Sequence, residues 1–356
     1  MIVNRKQLVF FEKWSQPLAE EILGAQDDIE LIRLHYADPQ AKNWAAFERA
    51  HGYHVTSQEK LVEPWFGTAS LLDRCPVMLA ISTSGAGFDP IDVDACTAAG
   101  VIVVNQSGIN SEPVAEHAMA LMLNLTKRVG LANRAVLAGT VTDRYLLTGN
   151  NIREKTVGIV GIGQIGRLVA KYCGAFDMRV LACDPYLSAE EITHRGATKV
   201  DFATLLAEAD FISVHCPRNR ETIGMFGAAE FARMKPGAYF INTARGRIHD
   251  EAALLEALLG GRIAGAGLDV FDKEPPPSDQ PLLQLKNVIA TPHVAGATVE
   301  TSRATGKAAA EQWITLLRGR VPPRLVNPEA WPRYSERFES IIGFAPDPLG
   351  DGNRAA

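Results

Sequence analysis

The sequence predicts an α/β protein of two doubly wound domains, and three observations predict it. Short apolar runs alternate with helix-period segments along most of the chain, the pattern of parallel strands joined by crossover helices. The 356 residues exceed what one ordinary core serves, which implies two domains. Three spaced glycines follow the apolar stretch Thr156–Val160 and open an amphipathic segment, the strand–turn–helix entry to a doubly wound sheet.

In the first part, strands are expected at Ile29–Tyr36, Val77–Ser82 and Val101–Asn105. Helices interleaved with them are expected near Gln16–Leu23, Ala41–His51 and Ile91–Ala99. A long apolar helix follows at about Glu112–Leu125, where Ser111 can cap and Pro113 suits the first turn. From Lys155 the alternation becomes more regular. Strands at Thr156–Val160, Arg179–Cys183, Phe211–His215, Ala238–Asn242, Ala264–Val270 and Val288–Thr291 frame helices at Ile165–Ala175, Phe202–Ala207, Ala228–Met234 and Asp250–Leu259. That run reads as one sheet of about six parallel strands. A last helix near Val299–Arg318 has no sheet partner in its own half and is expected to return to the first domain. The tail from residue 328 is rich in Pro, Gly and Asn and reads as an extended arm, partly disordered.

Composition excludes several classes. Hydrophobic residues make up 47% and charged residues 22%, the balance of a globular protein rather than a disordered or coiled-coil one. No window approaches the length of a membrane span, and the N-terminal stretch lacks the apolar core of a signal peptide, so the expected location is cytoplasmic. A net charge of -5 gives no bulk reason to bind nucleic acid or an anionic membrane. The five cysteines (Cys75, Cys96, Cys173, Cys183, Cys216) lack metal-ligand spacing, so free thiols and no metal are expected.

In the segment Gly161-Ile-Gly163-Gln164-Ile165-Gly166, Gly161 permits the tight turn, Gly163 lets backbone approach a pyrophosphate, and Gly166 lets helix and strand pack closely. The helix start, with Gln164 and Ile165, offers N–H groups to the anion. Asp184 stands at the end of the next strand, where a carboxylate accepts from ribose hydroxyls and repels a 2′-phosphate. NAD is therefore the expected cofactor, in a Rossmann-like domain.

Ligands bind outside the carboxyl ends of the strands in such sheets. There the chain places Arg245 in the stretch after Ala238–Asn242, Asp269 at the end of Ala264–Val270 with Glu274 five residues later, and His293 just after Val288–Thr291. A nicotinamide enzyme acting on an alcohol or carbonyl needs a proton donor and a cation. His293 and Arg245 meet those needs, and Glu274 is the candidate carboxylate to orient the ring and favour its charged form.

Several ordered motifs are similar to those of the D-isomer-specific 2-hydroxyacid dehydrogenases, from about Met78 to Arg318. They are Gly85-Ala-Gly87-Phe-Asp-Pro-Ile-Asp92, Asn110 with Val114-Ala-Glu116-His, the glycine turn with Asp184, Ile241-Asn-Thr-Ala-Arg245-Gly, Gly267-Leu-Asp269-Val-Phe-Asp-Lys-Glu274-Pro and Thr291-Pro-His293-Val-Ala-Gly296. The resemblance implies that Arg245 contacts the substrate carboxylate and carbonyl, that His293 is the acid/base with Glu274 as its partner, and that Asp269 contacts the nicotinamide carboxamide. It implies that Ala86 and Gly87 offer backbone N–H groups to the substrate, and that Pro217 and Thr243 line the cofactor site. It also implies a discontinuous, flavodoxin-like substrate domain (residues 1–108 and 296–327), an NAD-binding domain (109–295), a homodimer, and a small 2-oxo or 2-hydroxy acid as substrate.

The stretch Ile81-Ser-Thr-Ser84 lacks the basic residue that relatives often carry before the substrate loop, and His249 replaces a usual aliphatic. No long segment follows the tail, which argues against the longer phosphoglycerate dehydrogenases. Two other readings stay open. One is an NAD(H)-sensing scaffold or corepressor without turnover; the other is a phosphite-type dehydrogenase. Formate oxidation is disfavoured, because relatives that perform it pair the histidine with Gln.

Overall fold

The computed structural model describes residues 5–14, 16–56 and 61–350. The chain divides into two compact units, one comprising residues up to Asn110 and from Thr298 onward, the other Ser111–Ala297.

Among the described residues, the first unit carries five strands: β1 (Lys6–Phe11), β2 (Ile29–Leu34), β3 (Gly52–Val55), β4 (Ala80–Thr83) and β5 (Ile102–Val104). All pair in parallel, in the order β2-β1-β3-β4-β5. This is the flavodoxin-like winding. The sequence reading had no counterpart for β1 or β3. Residues 8–11 of β1 form an unbroken buried run, whose hydrophobicity alone does not tell a strand from a buried helix. The helix Val299–Leu317 belongs to this unit and packs on Pro17–Gly24. Its Trp313 is fully buried over Gly52, where a Cβ would stand 2.4 Å from the indole.

The extended tail expected from residue 328 is corrected. Residues Trp331–Ile342 form a helix, ended by Gly343 in the left-handed conformation at φ 91°. Trp331, Tyr334 and Phe338 lie on one face at helical spacing and are buried. Pro332 sits in the first turn, where its missing N–H costs nothing. The Arg337 guanidinium donates to the carbonyls of Met78 and Pro76, each at 2.8 Å. The apolar stripe between the flanking Pro and Gly residues decides the conformation here, whatever the Pro and Gly content. Residues 351–356, the end of the expected disordered arm, lie outside the described residues.

The second unit holds seven parallel strands, one more than expected: β6 (Thr156–Val160), β7 (Arg179–Cys183), β8 (Thr198–Lys199), β9 (Phe211–Val214), β10 (Tyr239–Asn242), β11 (Gly265–Leu268) and β12 (Val288–Ala290). Their order is β12-β11-β10-β9-β6-β7-β8, so the winding reverses between β6 and β9, where a doubly wound sheet binds its ligand. The extra strand, β8, is two exposed residues with no pattern to read. Helix Ser111–Lys127 crosses β10 and β11, and Gly267 admits it: a Cβ there would lie 2.9 Å from Leu121 Cβ. A further helix that the sequence reading lacked, Val129–Leu137, buries no residue.

Replacing Gly52 by Ala should force the rigid Trp313 indole to move and cost about 1–3 kcal/mol, read as a lower midpoint in urea unfolding with an unchanged slope. A midpoint equal to the parent's would show that the site relaxes freely.

Candidate active site

The glycine turn forms where β6 ends. Gly161 adopts φ 85°, and its N–H donates to the Cys183 carbonyl at 3.0 Å. A Cβ on Gly161 would meet Cys216 N at 2.8 Å, and one on Gly166 would meet the Gly161 carbonyl oxygen at 2.3 Å. Both glycines are thus demanded by the protein itself. Gly163 differs, since a Cβ there would meet nothing within 4 Å. The helix Gln164–Ala175 begins immediately after it, with Gln164 and Ile165 in the first turn. Asp184 closes the arrangement. Its Oδ2 accepts from the Ile162 N–H and its Oδ1 from the Tyr186 N–H, both at 3.1 Å, while Arg195 donates to the Ile162 carbonyl at 2.7 Å.

On the neighbouring strands, Thr243 follows β10 and Pro217 lies in the loop after β9, its carbonyl accepting from Thr222 Oγ1 at 2.6 Å. Thr243 Oγ1 and His215 Nδ1 are buried polar atoms without a hydrogen-bond partner among the described residues. Buried polar groups are normally satisfied. Two orphans just beyond β9 and β10, on the sheet edge that carries the glycine turn, fit a polar ligand lying along this edge.

Asn242, fully buried at the end of β10, folds the loop that carries Arg245. Its Oδ1 accepts from the Ala244 N–H, and its Nδ2 donates to the Arg245 carbonyl and to His249 Nδ1, at 2.9, 2.9 and 3.0 Å. The next residue, Gly246, presses this loop against the one after β11: a Cβ there would be 2.0 Å from the Phe271 carbonyl oxygen. That close approach brings Arg245 near enough for its charge to act on both Glu274 and His293.

Glu274 is fixed through both oxygens. Oε1 accepts from the Phe271 N–H at 3.0 Å, and Oε2 meets His293 Nδ1 at 2.6 Å. His293 sits at φ 55°, a conformation uncommon for a residue with a Cβ, and such strain persists only where neighbours enforce it. Asp269 enforces it. Its carbonyl accepts the His293 N–H at 2.8 Å. Its carboxylate accepts from Val294 N–H and Ala295 N–H, each at 2.9 Å, and from Thr291 Oγ1 at 2.6 Å. The Asp269 side chain is completely buried.

The electrostatics single out one histidine. The hydrogen bond to Glu274 raises the proton affinity of His293, against burial and the Arg245 charge. Burial pushes Glu274 up, but the bonds from His293 and the Phe271 N–H outweigh it and leave the carboxyl below its ordinary range. Both directions favour a charged pair at neutral pH. By contrast, burial lowers His54 and His215 to about 3 and His249 to about 4, so these rings stay neutral.

The second unit therefore gathers Arg245, Asp269, Glu274 and His293 on the strand edge that holds the glycine turn and Asp184. Ala86 and Gly87 belong to the first unit. There Asn105 Nδ2 donates to the Ala86 carbonyl at 2.7 Å, and the Gln106 N–H donates to the Gly85 carbonyl at 2.9 Å. Sequence reasoning gave no role to Asn242 or Thr291. An asparagine ending a strand ahead of an Arg-Gly turn was the available signal for the first.

Residues 119–295 match the family model described as D-isomer specific 2-hydroxyacid dehydrogenase, NAD binding domain. The chain is 44% identical over 259 residues to a D-3-phosphoglycerate dehydrogenase of Archaeoglobus fulgidus, covering 73% of this chain and 49% of that protein. It is 39% identical to a glyoxylate reductase of Korarchaeum cryptofilum, covering 73% of this chain and 80% of the relative. The chain belongs to the D-isomer specific 2-hydroxyacid dehydrogenase family. Among solved structures, D-lactate dehydrogenase from Aquifex aeolicus, complexed with NAD and lactic acid, superposes with a TM-score of 0.78 at 29% identity, over 90% of this chain and 98% of that one. The chain spans about half the length of the phosphoglycerate dehydrogenases it matches (49% and 57%).

The two glycines should respond differently to the same added methyl. Gly166→Ala should cost about 1–3 kcal/mol of stability through its clash with the Gly161 carbonyl. Gly163→Ala should stay close to the parent in stability yet weaken NADH roughly tenfold, about 1.4 kcal/mol, in a fluorescence titration. Parent-like NADH affinity in Gly163→Ala would remove the dinucleotide from this turn.

Proposed function

We propose that the protein transfers a hydride between NAD(H) and C2 of a small D-2-hydroxy or 2-oxo acid, with His293 as acid/base, Glu274 as its partner and Arg245 as the substrate cation. The observation that carries this reading is the 2.6 Å pairing of His293 with Glu274 on the strand edge that bears the glycine turn. NAD(H), when bound, supplies the hydride. Gly161, Gly163, Gln164, Ile165 and Gly166 would hold its pyrophosphate at the helix start, Asp184 its adenosine ribose, and Pro217 and Thr243 its flanks. Asp269, wholly buried, acts chiefly by holding the loop of His293.

In the reducing direction, charged His293 gives a proton to the carbonyl oxygen and Arg245 stabilises the negative charge growing there. With Nδ1 engaged by Glu274, Nε2 is the nitrogen that exchanges the proton. Reduction therefore runs below the raised pKa of His293 and fails as pH rises through it. Glu274 keeps the ring charged, which favours this enzymatic reading over a scaffold that binds nucleotide without turnover.

We also assign a homodimer. The segment from Val129 exposes Val129, Val136, Leu137, Tyr145 and Leu146, an apolar group left uncovered among the described residues. The five cysteines are free thiols, which suits a cytoplasmic setting. No helix among the described residues is long and apolar enough to cross a membrane.

An NADH-depletion screen over 2-oxo acids of graded size and charge, with NADPH in parallel, should find turnover with NADH preferred. NADH binding without turnover of any acid would leave the scaffold reading standing. On the best acid, His293→Ala should lower kcat by about 10²–10⁴-fold while NADH affinity holds. Glu274→Gln should move the alkaline limb of the reduction profile to lower pH, and an unmoved limb would remove Glu274 from the pair. Leu137→Glu should yield monomers in sedimentation, whereas an unchanged dimer would place the interface elsewhere.

A further inference from the structure

His117, in the motif Val114-Ala-Glu116-His117, is hydrogen-bonded to the loop of His293 through Thr291. It projects from helix Ser111–Lys127 one turn before Leu121, the residue that Gly267 admits against β11. Its Nε2 lies 2.9 Å from Thr291 Oγ1, which lies 2.6 Å from Asp269 Oδ1; the same Nε2 is 3.8 Å from that carboxylate oxygen.

The direction of each proton in this chain is determined. A carboxylate only accepts, so the single hydroxyl proton of Thr291 goes to Asp269. The Thr291 oxygen must then accept from His117, which requires a hydrogen on Nε2. The chain ends on the oxygen that also accepts the Val294 N–H, next to the left-handed His293. Asp269 has no solvent to hold its orientation, so its rotation depends on its donors.

We infer that His117 is a positioning residue for the acid/base step: through Thr291 it orients the Asp269 carboxylate, which in turn holds His293 in its strained backbone conformation. The inference rests on the reading of His293 as acid/base. His117 touches no reacting atom in this scheme, and its effect falls on where the imidazole sits. Small misplacements of a reacting group cost rate far more than binding.

The test uses His117→Leu, Thr291→Val and His117→Gln, the last retaining an amide N–H donor. With the 2-oxo acid that the wild type turns over best, His117→Leu and Thr291→Val should each lower kcat by about tenfold, with KM and NADH affinity within about twofold. Combining them should add little, because one chain is already broken. His117→Gln should recover most of the rate. In parallel, amide hydrogen exchange followed by mass spectrometry should show faster exchange in the peptide containing Val294 and Ala295 for both apolar variants, and near-parental exchange for His117→Gln.

Parental exchange and kcat in His117→Leu would overturn the inference, as would additive losses in the double variant. If His117→Leu fails to fold, Thr291→Val against His117→Gln still decides. A wild type that turns over no 2-oxo acid would defeat the proposed function, while the exchange readout would still report whether the chain holds the loop.

Discussion

The site depends on holding one residue, His293, in a backbone conformation it would not adopt alone. A left-handed non-glycine residue costs on the order of 1–3 kcal/mol, and the compensation comes from a single buried side chain. Asp269 accepts from two backbone N–H groups of the loop and from Thr291, and its own carbonyl accepts the His293 N–H. The result of this constraint is geometric: the ring meets Glu274 through Nδ1. Removing a donor or the acceptor would allow the loop to relax toward ordinary backbone and would separate the pair.

That constraint is built on a second one, the close packing of loops at the carboxyl edge of a parallel sheet. Every strand of the second unit points the same way, so successive strands deliver their ends, and the polar residues just beyond them, to one edge. The loops must then approach more closely than side chains allow. Gly246 lets the Arg245 loop touch the Phe271 carbonyl, and Gly166 lets the first helix lie on the turn at Gly161. Charge follows from this proximity, since Arg245 acts on His293 and Glu274 only because the two loops are in contact.

What the sequence made legible shares one property. The glycine turn, Asp184, Arg245, Glu274 and His293 each lie in the connection that follows an apolar strand, so a local pattern and a general rule about sheet edges sufficed to propose them. Most strands of the second unit were readable within a residue or two for the same reason. Helix Trp331–Ile342 was hidden behind its Pro and Gly flanks. Strand β1 was an apolar run with no period, and β8 had no pattern at all. His117, Thr291 and Asn242 were invisible as a working set, because their meaning lies in hydrogen bonds between elements, and His117 reaches a residue 174 positions away. Asp269 was legible as a strand-end carboxylate, but its hydrogen bonds to Thr291, Val294 and Ala295 were not.

The proposed chemistry depends on the protonation of one imidazole. Histidine-selective carbon labelling with an NMR titration of the wild-type protein, the His293 resonance being assigned by its loss in His293→Ala, measures it without any substrate. His293 should titrate above an ordinary exposed imidazole, and Glu274→Gln should lower its midpoint. A His293 that titrates at or below the ordinary value, and does so equally with glutamine at position 274, would contradict the pairing on which the proposed chemistry rests.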